Sequence, residues 1–271
     1  DAFVVSPNGT LAAVALTIDG TVVRHGVDLN VDGAQAIETL TINAGDDGDT
    51  VTVNHSHGVA SVNVIGGAGT STDEVILDGS GAGTFIVLTG TNPVVNGGAL
   101  GNVDLDGIET VRLDANGAAL DITASDDVNL DWTDSDEATL TQAGLTTTFY
   151  LTGLTAGIAL TNPDQIVNIT GTDNSDAITL VLSPANLAST VGSSPTVSVG
   201  SGAGGVVVDG GPGADTFTLS GSGGPSLVIR GGDVPAVDTV IVQGGAVADD
   251  ILGVATGNDT ESGTVSMRLA G

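Results

Sequence analysis

The chain has no cysteine and no lysine, and aromatic residues make up only 2% of its 271 positions. Without cysteine, the protein can form neither disulfides nor zinc–thiolate sites, and it has no thiol nucleophile. So few aromatic side chains argue against a wide globular core and favour a narrow core of stacked aliphatic side chains. No run of about 18 apolar residues occurs, so we expect no membrane insertion.

Basic residues are also scarce, because four arginines stand against 33 acids and the formal net charge is −29. This charge repels nucleic acid and anionic membranes, so we expect no nucleic-acid partner. It also destabilises a compact state by self-repulsion unless cations neutralise it. Two explanations remain open, namely bound divalent cations or a surface adapted to high salt. The grouping of the acids in glycine-rich turns favours cations.

Apolar residues two positions apart recur along the whole chain, as in Leu40-Thr-Ile42, Val62-Asn-Val64 and Val206-Val-Val208. This period predicts short strands with one buried face. Two such segments would form a coil of about 20–25 residues, so we predict an all-β fold, an elongated parallel β-helix or β-roll of the solenoid type. Tandem β-sandwich domains are the alternative, since sandwich strands are spaced by about 8–12 residues too.

The repetition predicts one β-solenoid domain over residues 1–271, with a diverged segment at about 118–162. That segment holds the only tryptophan and the only tyrosine, Trp132 and Tyr150. No helix is convincing, and the best candidate, Pro184 to Thr190, is one or two turns at most.

Turns rich in glycine and aspartate join the predicted strands. The best copy is Gly210-Gly-Pro-Gly-Ala-Asp-Thr-Phe-Thr218, and further copies begin at Ala44, Gly66, Gly171, Gly231 and Gly244. The copy at 210–218 matches the nonapeptide G-G-x-G-x-D-x-(apolar)-x at every position and so resembles the calcium-binding β-rolls of the RTX type. This resemblance implies that the glycines adopt positive φ, that backbone carbonyls face Ca²⁺, and that the aspartate supplies a carboxylate.

The same resemblance assigns calcium ligands in each of these turns, and Asp215 matches best. The predicted set is Asp46, Asp47, Asp49, Asp73, Asp173, Asp176, Asp215, Asp238 and Asp249. Most copies have lost a glycine or gained residues, so the chain resembles the degenerate Gly-Asp repeats of very large bacterial extracellular surface proteins more than it resembles a toxin β-roll. The alternative is that Gly-Asp sequences are simply good turn formers.

These features favour an extracellular structural protein, a calcium-stabilised repeat unit of a fibre, surface layer or giant adhesin at a bacterial or archaeal cell surface. The last residues, Leu269-Ala-Gly271, followed in series by Asp1-Ala-Phe-Val4, resemble the turn between Ile42 and Val51. We therefore expect copies to associate end to end, as a homopolymer or as tandem repeats.

Two other function classes stay open. A carbohydrate-binding adhesin module would take surface glycans as its partners. A polysaccharide-active β-helix enzyme comes third, and we expect no catalytic activity, because the chain has no lysine and few aromatic platforms for sugar rings. The densest acidic cluster, between Asp126 and Glu137, is the candidate groove for such an enzyme.

Overall fold

A computed structural model describes residues 2–5, 15–19, 22–25, 27–30, 39–44, 48–54, 60–67, 72–78, 85–88, 94–96, 100–114, 119–142, 145–151, 154, 157–161, 164–232, 237–243 and 264–268. These ranges contain 26 strands and none of their residues is helical, which confirms the all-β prediction. In the same ranges, no helix has the length and apolar character needed to cross a membrane.

The strands form two mixed sheets, sheet A with 14 strands and sheet B with 12. Sheet A contains β1 (Ala2–Val5), β5 (Thr39–Asn43), β7 (Ser61–Ile65), β9 (Phe85–Leu88), β10 (Val94–Asn96), β11 (Asn102–Asp106), β13 (Leu120–Thr123), β17 (Ile158–Thr161), β19 (Ala177–Leu182), β20 (Asn186–Val191), β21 (Val197–Gly200), β23 (Thr216–Gly221), β25 (Thr239–Gln243) and β26 (Thr264–Arg268). Sheet B contains β2 (Ala15–Asp19), β3 (Val22–His25), β4 (Val27–Asn30), β6 (Thr50–Val53), β8 (Glu74–Asp78), β12 (Thr110–Asp114), β14 (Val128–Asp134), β15 (Glu137–Gln142), β16 (Leu145–Tyr150), β18 (Ile166–Thr170), β22 (Gly205–Asp209) and β24 (Leu227–Arg230).

Parallel pairing dominates both sheets. Of the 24 described strand pairings, 16 are parallel and eight are antiparallel. The chain alternates between the sheets from β5 to β8, so parallel neighbours are joined through a strand of the other sheet. This connection is the crossover that parallel strands require.

The sequence separation of parallel partners takes two values. Five pairings join residues 21–25 positions apart, such as Thr39 with Ser61 and Val206 with Leu227. The other eleven span 35–41 positions, such as Ser61 with Asn102. The expected coil of about 20–25 residues therefore describes only the first group.

The longer separations arise from four antiparallel meanders of three strands each. They are β2–β4 and β14–β16 in sheet B, and β9–β11 and β19–β21 in sheet A. Each meander adds two strands to the chain between the parallel partners on either side of it. The predicted diverged segment, 118–162, contains the meander β14–β16.

The helix candidate at Pro184 to Thr190 is wrong, because the chain forms strand β20 there. Leu187, Ser189 and Val191 are buried in alternation, and β20 pairs with β19 and β21 on its two sides. The alternation of buried positions and these two ladders outweigh a weak local helix preference.

One apolar cluster contains the inward side chains of both sheets. It includes Leu40 and Ile42 of β5, Val51 and Val53 of β6, and Phe217 of β23. Because registered partners bring like residues into line, such as Leu40 with Val62 and Ile42 with Val64, aliphatic rows run from strand to strand. This burial is the main stabilising term of the fold.

Candidate metal centre

An acid stands one residue before the strand at several corners, where a corner is the turn from a strand of one sheet to the next strand in the other. Asp49, Asp73 and Glu109 precede β6, β8 and β12 of sheet B and form the first acid column. Asp176, Asp215 and Asp238 precede β19, β23 and β25 of sheet A and form the second acid column.

Successive acids of the second acid column are joined twice. The backbone N–H of Asp176 donates to Oδ1 of Asp215 at 2.7 Å, and the N–H of Thr216 donates back to the carbonyl of Asp176 at 2.8 Å. Asp215 repeats the pair, donating to Oδ1 of Asp238 at 2.9 Å and accepting from Thr239 at 2.8 Å. The side-chain carboxylate thus extends the parallel ladder by one residue beyond the strand.

The first acid column has the same pattern. The N–H of Asp49 donates to Oδ1 of Asp73 at 2.9 Å, and the N–H of Asp73 donates to Oε2 of Glu109 at 2.8 Å. The matching backbone bonds run from Glu74 to the carbonyl of Asp49 and from Thr110 to that of Asp73. The same pair of hydrogen bonds occurs at corners that lead into sheet A and at corners that lead into sheet B, so this joint between successive acids is a repeated structural element.

Glycine follows the preceding strand at five of these six corners, and at Gly171 and Gly210 the acid occupies the space of a side chain. At Gly210, which follows β22, a Cβ would meet Oδ2 of Asp215 and the carbonyl oxygen of Gly231, both closer than 3.0 Å. Gly171 faces Oδ2 of Asp176 and the carbonyl of Gly210 in the same way. Gly171 and Gly210 each leave a small space into which one carboxylate oxygen and one backbone carbonyl oxygen converge.

Asp215 is the buried member of the second acid column, and one oxygen of its carboxylate has no donor. Its side chain is 1% exposed, and Oδ2 is buried without a hydrogen-bond partner. Burial raises the pKa of Asp215 to about 6, the N–H of Asp176 opposes this rise, and the charges of Asp238, Asp176 and Asp209 add to it. Two oxygens facing each other in a buried space are repulsive unless a proton or a cation lies between them.

The first acid column has two buried acids, Asp49 and Asp73, with 3% and 4% of their surface exposed. Asp73 is the one whose pKa is shifted. Burial raises its pKa, the N–H of Asp49 lowers it, and the charges of Glu109 and Asp49 raise it again. A Cβ at Gly66 would meet Oδ2 of Asp73 and the carbonyl oxygen of Gly107, so this corner has the same oxygen-lined space.

The predicted ligand set therefore falls into three groups. Asp49, Asp73, Asp176, Asp215 and Asp238 lie at the corners, and Asp173 is exposed in the turn before β19. Asp46, Asp47 and Asp249 lie outside the described residues. Within the described ranges, no group of three or more His, Asp or Glu side chains could hold a metal ion, so a cation at a corner would need backbone carbonyls as well.

Sequence reasoning missed Glu109, because its corner is only three residues long and lacks the Gly-Gly-x-Gly pattern. A different signal was available. An acid followed by threonine and an apolar residue occurs at Asp49, Glu109, Asp215 and Asp238, in each case at the start of a strand.

The strand architecture and the acid columns define an all-β protein of repeat-like organisation with acidic corners. No known protein family, no curated protein and no solved structure matches the chain.

Proposed function

We propose that the chain is a non-catalytic structural module, a β-solenoid whose corners are stabilised by calcium outside the cell. The observation that carries the proposal is the buried, unpartnered Oδ2 of Asp215 beside the carbonyl of Gly231. Calcium prefers six to eight oxygen ligands in loose geometry, and carboxylate and backbone carbonyl oxygens suit it. Asp215 and the Gly231 carbonyl would hold the ion, with water completing its shell.

Parallel pairing supports the solenoid. Alternation between two sheets, registered parallel partners and one shared apolar cluster are features of coils stacked on one another. Tandem antiparallel sandwiches would not place β5, β7 and β11 side by side in parallel. The meanders are then local enlargements of single coils.

A structural role also agrees with the positions of the acids. Asp126, Asp127, Asp134 and Asp136, from the densest acidic cluster, are exposed around the β14–β15 hairpin and do not line a buried groove. Both acids with a raised pKa, Asp73 and Asp215, are bound into the corner ladders. The acids thus serve the stacking of the corners in this proposal.

An extracellular setting follows from calcium availability. Extracellular calcium-binding modules function with dissociation constants of about 10⁻⁴–10⁻³ M, far above the free calcium inside cells. The corners would remain repulsive until export supplies the ion, and calcium binding would then add to the free energy of folding.

End-to-end association of copies is part of the same proposal. Among the described strands, β1 and β26 end sheet A, and β24 and β4 end sheet B, each with a hydrogen-bonded neighbour on one side. Open strand edges are templates for further pairing. A second copy would continue the ladders, as a fibre or surface layer requires.

The test is thermal unfolding, followed by circular dichroism, in chelator and in millimolar calcium. At calcium concentrations near 100 times the dissociation constant, one site adds about 2.7 kcal/mol, which is about 5–10 °C for a chain of this size. Sodium chloride at matched ionic strength is the control for charge screening. An equal gain in sodium chloride would contradict the proposal and favour adaptation to high salt.

Sedimentation velocity and electron microscopy with calcium test the association, and a monomer at high concentration would contradict it. A glycan array distinguishes the structural module from a carbohydrate-binding adhesin, because only the adhesin would retain specific sugars.

A further inference from the structure

In two successive turns of the second acid column, the aspartate carboxylates accept different sets of hydrogen bonds. In the turn 171–176, the N–H of Thr172 donates to Oδ2 of Asp176 at 2.7 Å. The Thr172 hydroxyl lies 3.0 Å from Oδ2 and 3.2 Å from Oδ1 of the same carboxylate. That hydroxyl also accepts the N–H of Asn174 at 3.2 Å, which fixes its orientation and leaves its proton for Asp176.

The next turn, 210–215, has no such donor. The position of Thr172 is occupied by Gly211, which has no hydroxyl, and its N–H donates to Oδ1 of Asp209 at 3.1 Å. Oδ2 of Asp215 is consequently buried without a partner. Gly211 cannot be replaced easily, because its φ is +81° and a Cβ would lie 2.8 Å from the carbonyl of Thr172.

We infer that the Thr172 hydroxyl takes the place of a cation at Asp176, so that these two stacked turns bind one hard divalent cation, at Asp215, and not one each. This inference rests on the proposed calcium-stabilised function and makes Thr172 the residue that sets the number of ions. At Asp176, a neutral hydroxyl and an N–H donate hydrogen bonds to the carboxylate, so no cation is required there. The buried Asp215 carboxylate lacks these donors and needs a cation.

The test compares Thr172→Val with Thr172→Ser. Valine keeps the β-branched shape but removes the hydroxyl, while serine retains the hydroxyl and is the matched control. Calcium binding is titrated calorimetrically at pH 7.5, and unfolding is measured in chelator, with Trp132 fluorescence as the check that each variant is folded.

We expect Thr172→Val to bind one calcium ion more per chain than the original protein, and Thr172→Ser to bind the same number. In chelator, the valine variant should melt at a lower temperature than the serine variant, and calcium should restore most of the difference. Adding Asp176→Asn to Thr172→Val should abolish the extra ion, because the carboxylate that holds it is gone.

An unchanged ion count in the valine variant would overturn the inference while leaving the proposed function intact, provided that the original protein binds calcium. If the original protein binds no calcium, the proposed function fails, and the comparison in chelator still tests the hydroxyl. Equal melting of the valine and serine variants there would overturn its role at Asp176.

Discussion

Replacing Asp215 by asparagine isolates the electrostatic cost of the corner. Asparagine keeps an Oδ1 that can accept the N–H of Asp176, now 2.7 Å from the carboxylate. Its amide nitrogen replaces Oδ2 and can donate towards the carbonyl of Gly231, which faces the same space. The substitution thus removes a buried charge and adds a donor without changing the size of the side chain.

The magnitude follows from the pKa of Asp215, which burial raises from its ordinary value of 3.8 to about 6. At about 1.4 kcal/mol per pH unit, this difference corresponds to at most about 3 kcal/mol, and to less where water reaches the corner. Because the folded state holds the proton more tightly, the original protein loses this stability as pH rises from about 4 to about 6. The loss is complete by about pH 7, where the folded state is also deprotonated.

We therefore expect Asp215→Asn in chelator at pH 7.5 to be more stable than the original protein, by up to about 3 kcal/mol, and to match it near pH 4. Denaturant unfolding of both proteins at half-unit pH intervals measures the difference in their free energies of unfolding. Carboxylates that titrate alike in the two proteins do not contribute to this difference. Asp173→Asn is the control, since it removes an exposed charge from the neighbouring turn and should shift stability by less than about 0.5 kcal/mol at every pH.

The variant should also lose the calcium response that depends on Asp215. Calcium should stabilise the original protein and the Asp173→Asn control more than it stabilises Asp215→Asn. Our account of the corner would be refuted if Asp215→Asn were less stable than the original protein in chelator at pH 7.5, or if the stability difference did not change between pH 4 and 6.5.

Three further predictions concern packing and are read from denaturant unfolding at pH 7.5. Gly210→Ala should destabilise the protein by about 1–3 kcal/mol because its methyl group would overlap Oδ2 of Asp215. Gly200→Ala is the control, because open space surrounds that residue, and it should change stability by less than about 0.5 kcal/mol. Equal losses of stability in the two variants would refute the tight packing of the corner at Gly210. Ser189→Ala should stabilise by about 1 kcal/mol because the hydroxyl is buried without a partner, and a loss would show that it has one. Phe217→Ala should cost about 3–5 kcal/mol because its ring is fully buried, and a cost below about 1 kcal/mol would contradict its place in the core.

The sequence was sufficient for many of the strands, although not for β20, and for most of the corner acids. Period-two alternation located strands such as β5, β7 and β22, because inward residues of a half-buried strand must be apolar. The nonapeptide located Asp215, because the acid and Gly210 share one space and each constrains the other.

Pairing direction could not be predicted in the same way. Alternation is identical in parallel and antiparallel strands, so β19, β20 and β21 look alike in sequence although they form a meander. Only connection length separates the two cases. The three residues between β19 and β20 permit a hairpin but no crossover through the other sheet.

The contrast between Asp176 and Asp215 also lay beyond the pattern. Both acids occupy the same position in similar turns, yet one receives two donors from Thr172 and the other leaves Oδ2 buried without a partner. The turn consensus gives the position of the carboxylate. The residue four positions earlier, threonine or glycine, decides whether that carboxylate accepts a side-chain hydrogen bond.

The alternation of meanders between the sheets is what the proposed solenoid would require. Each meander adds two strands to one sheet, which advances that sheet by about 10 Å relative to the other at a strand spacing of about 4.8 Å. Two successive meanders in the same sheet would double this offset and leave inward side chains without partners across the core. The observed order, β2–β4 in sheet B, β9–β11 in sheet A, β14–β16 in sheet B and β19–β21 in sheet A, corrects each offset before the next arises. One joint of each acid column spans a sheet-A meander: Asp73 and Glu109 lie on either side of β9–β11, and Asp176, which precedes β19, is hydrogen-bonded to Asp215, which precedes β23. In the proposed solenoid, these joints would hold together the two parallel neighbours that the meander separates in sequence.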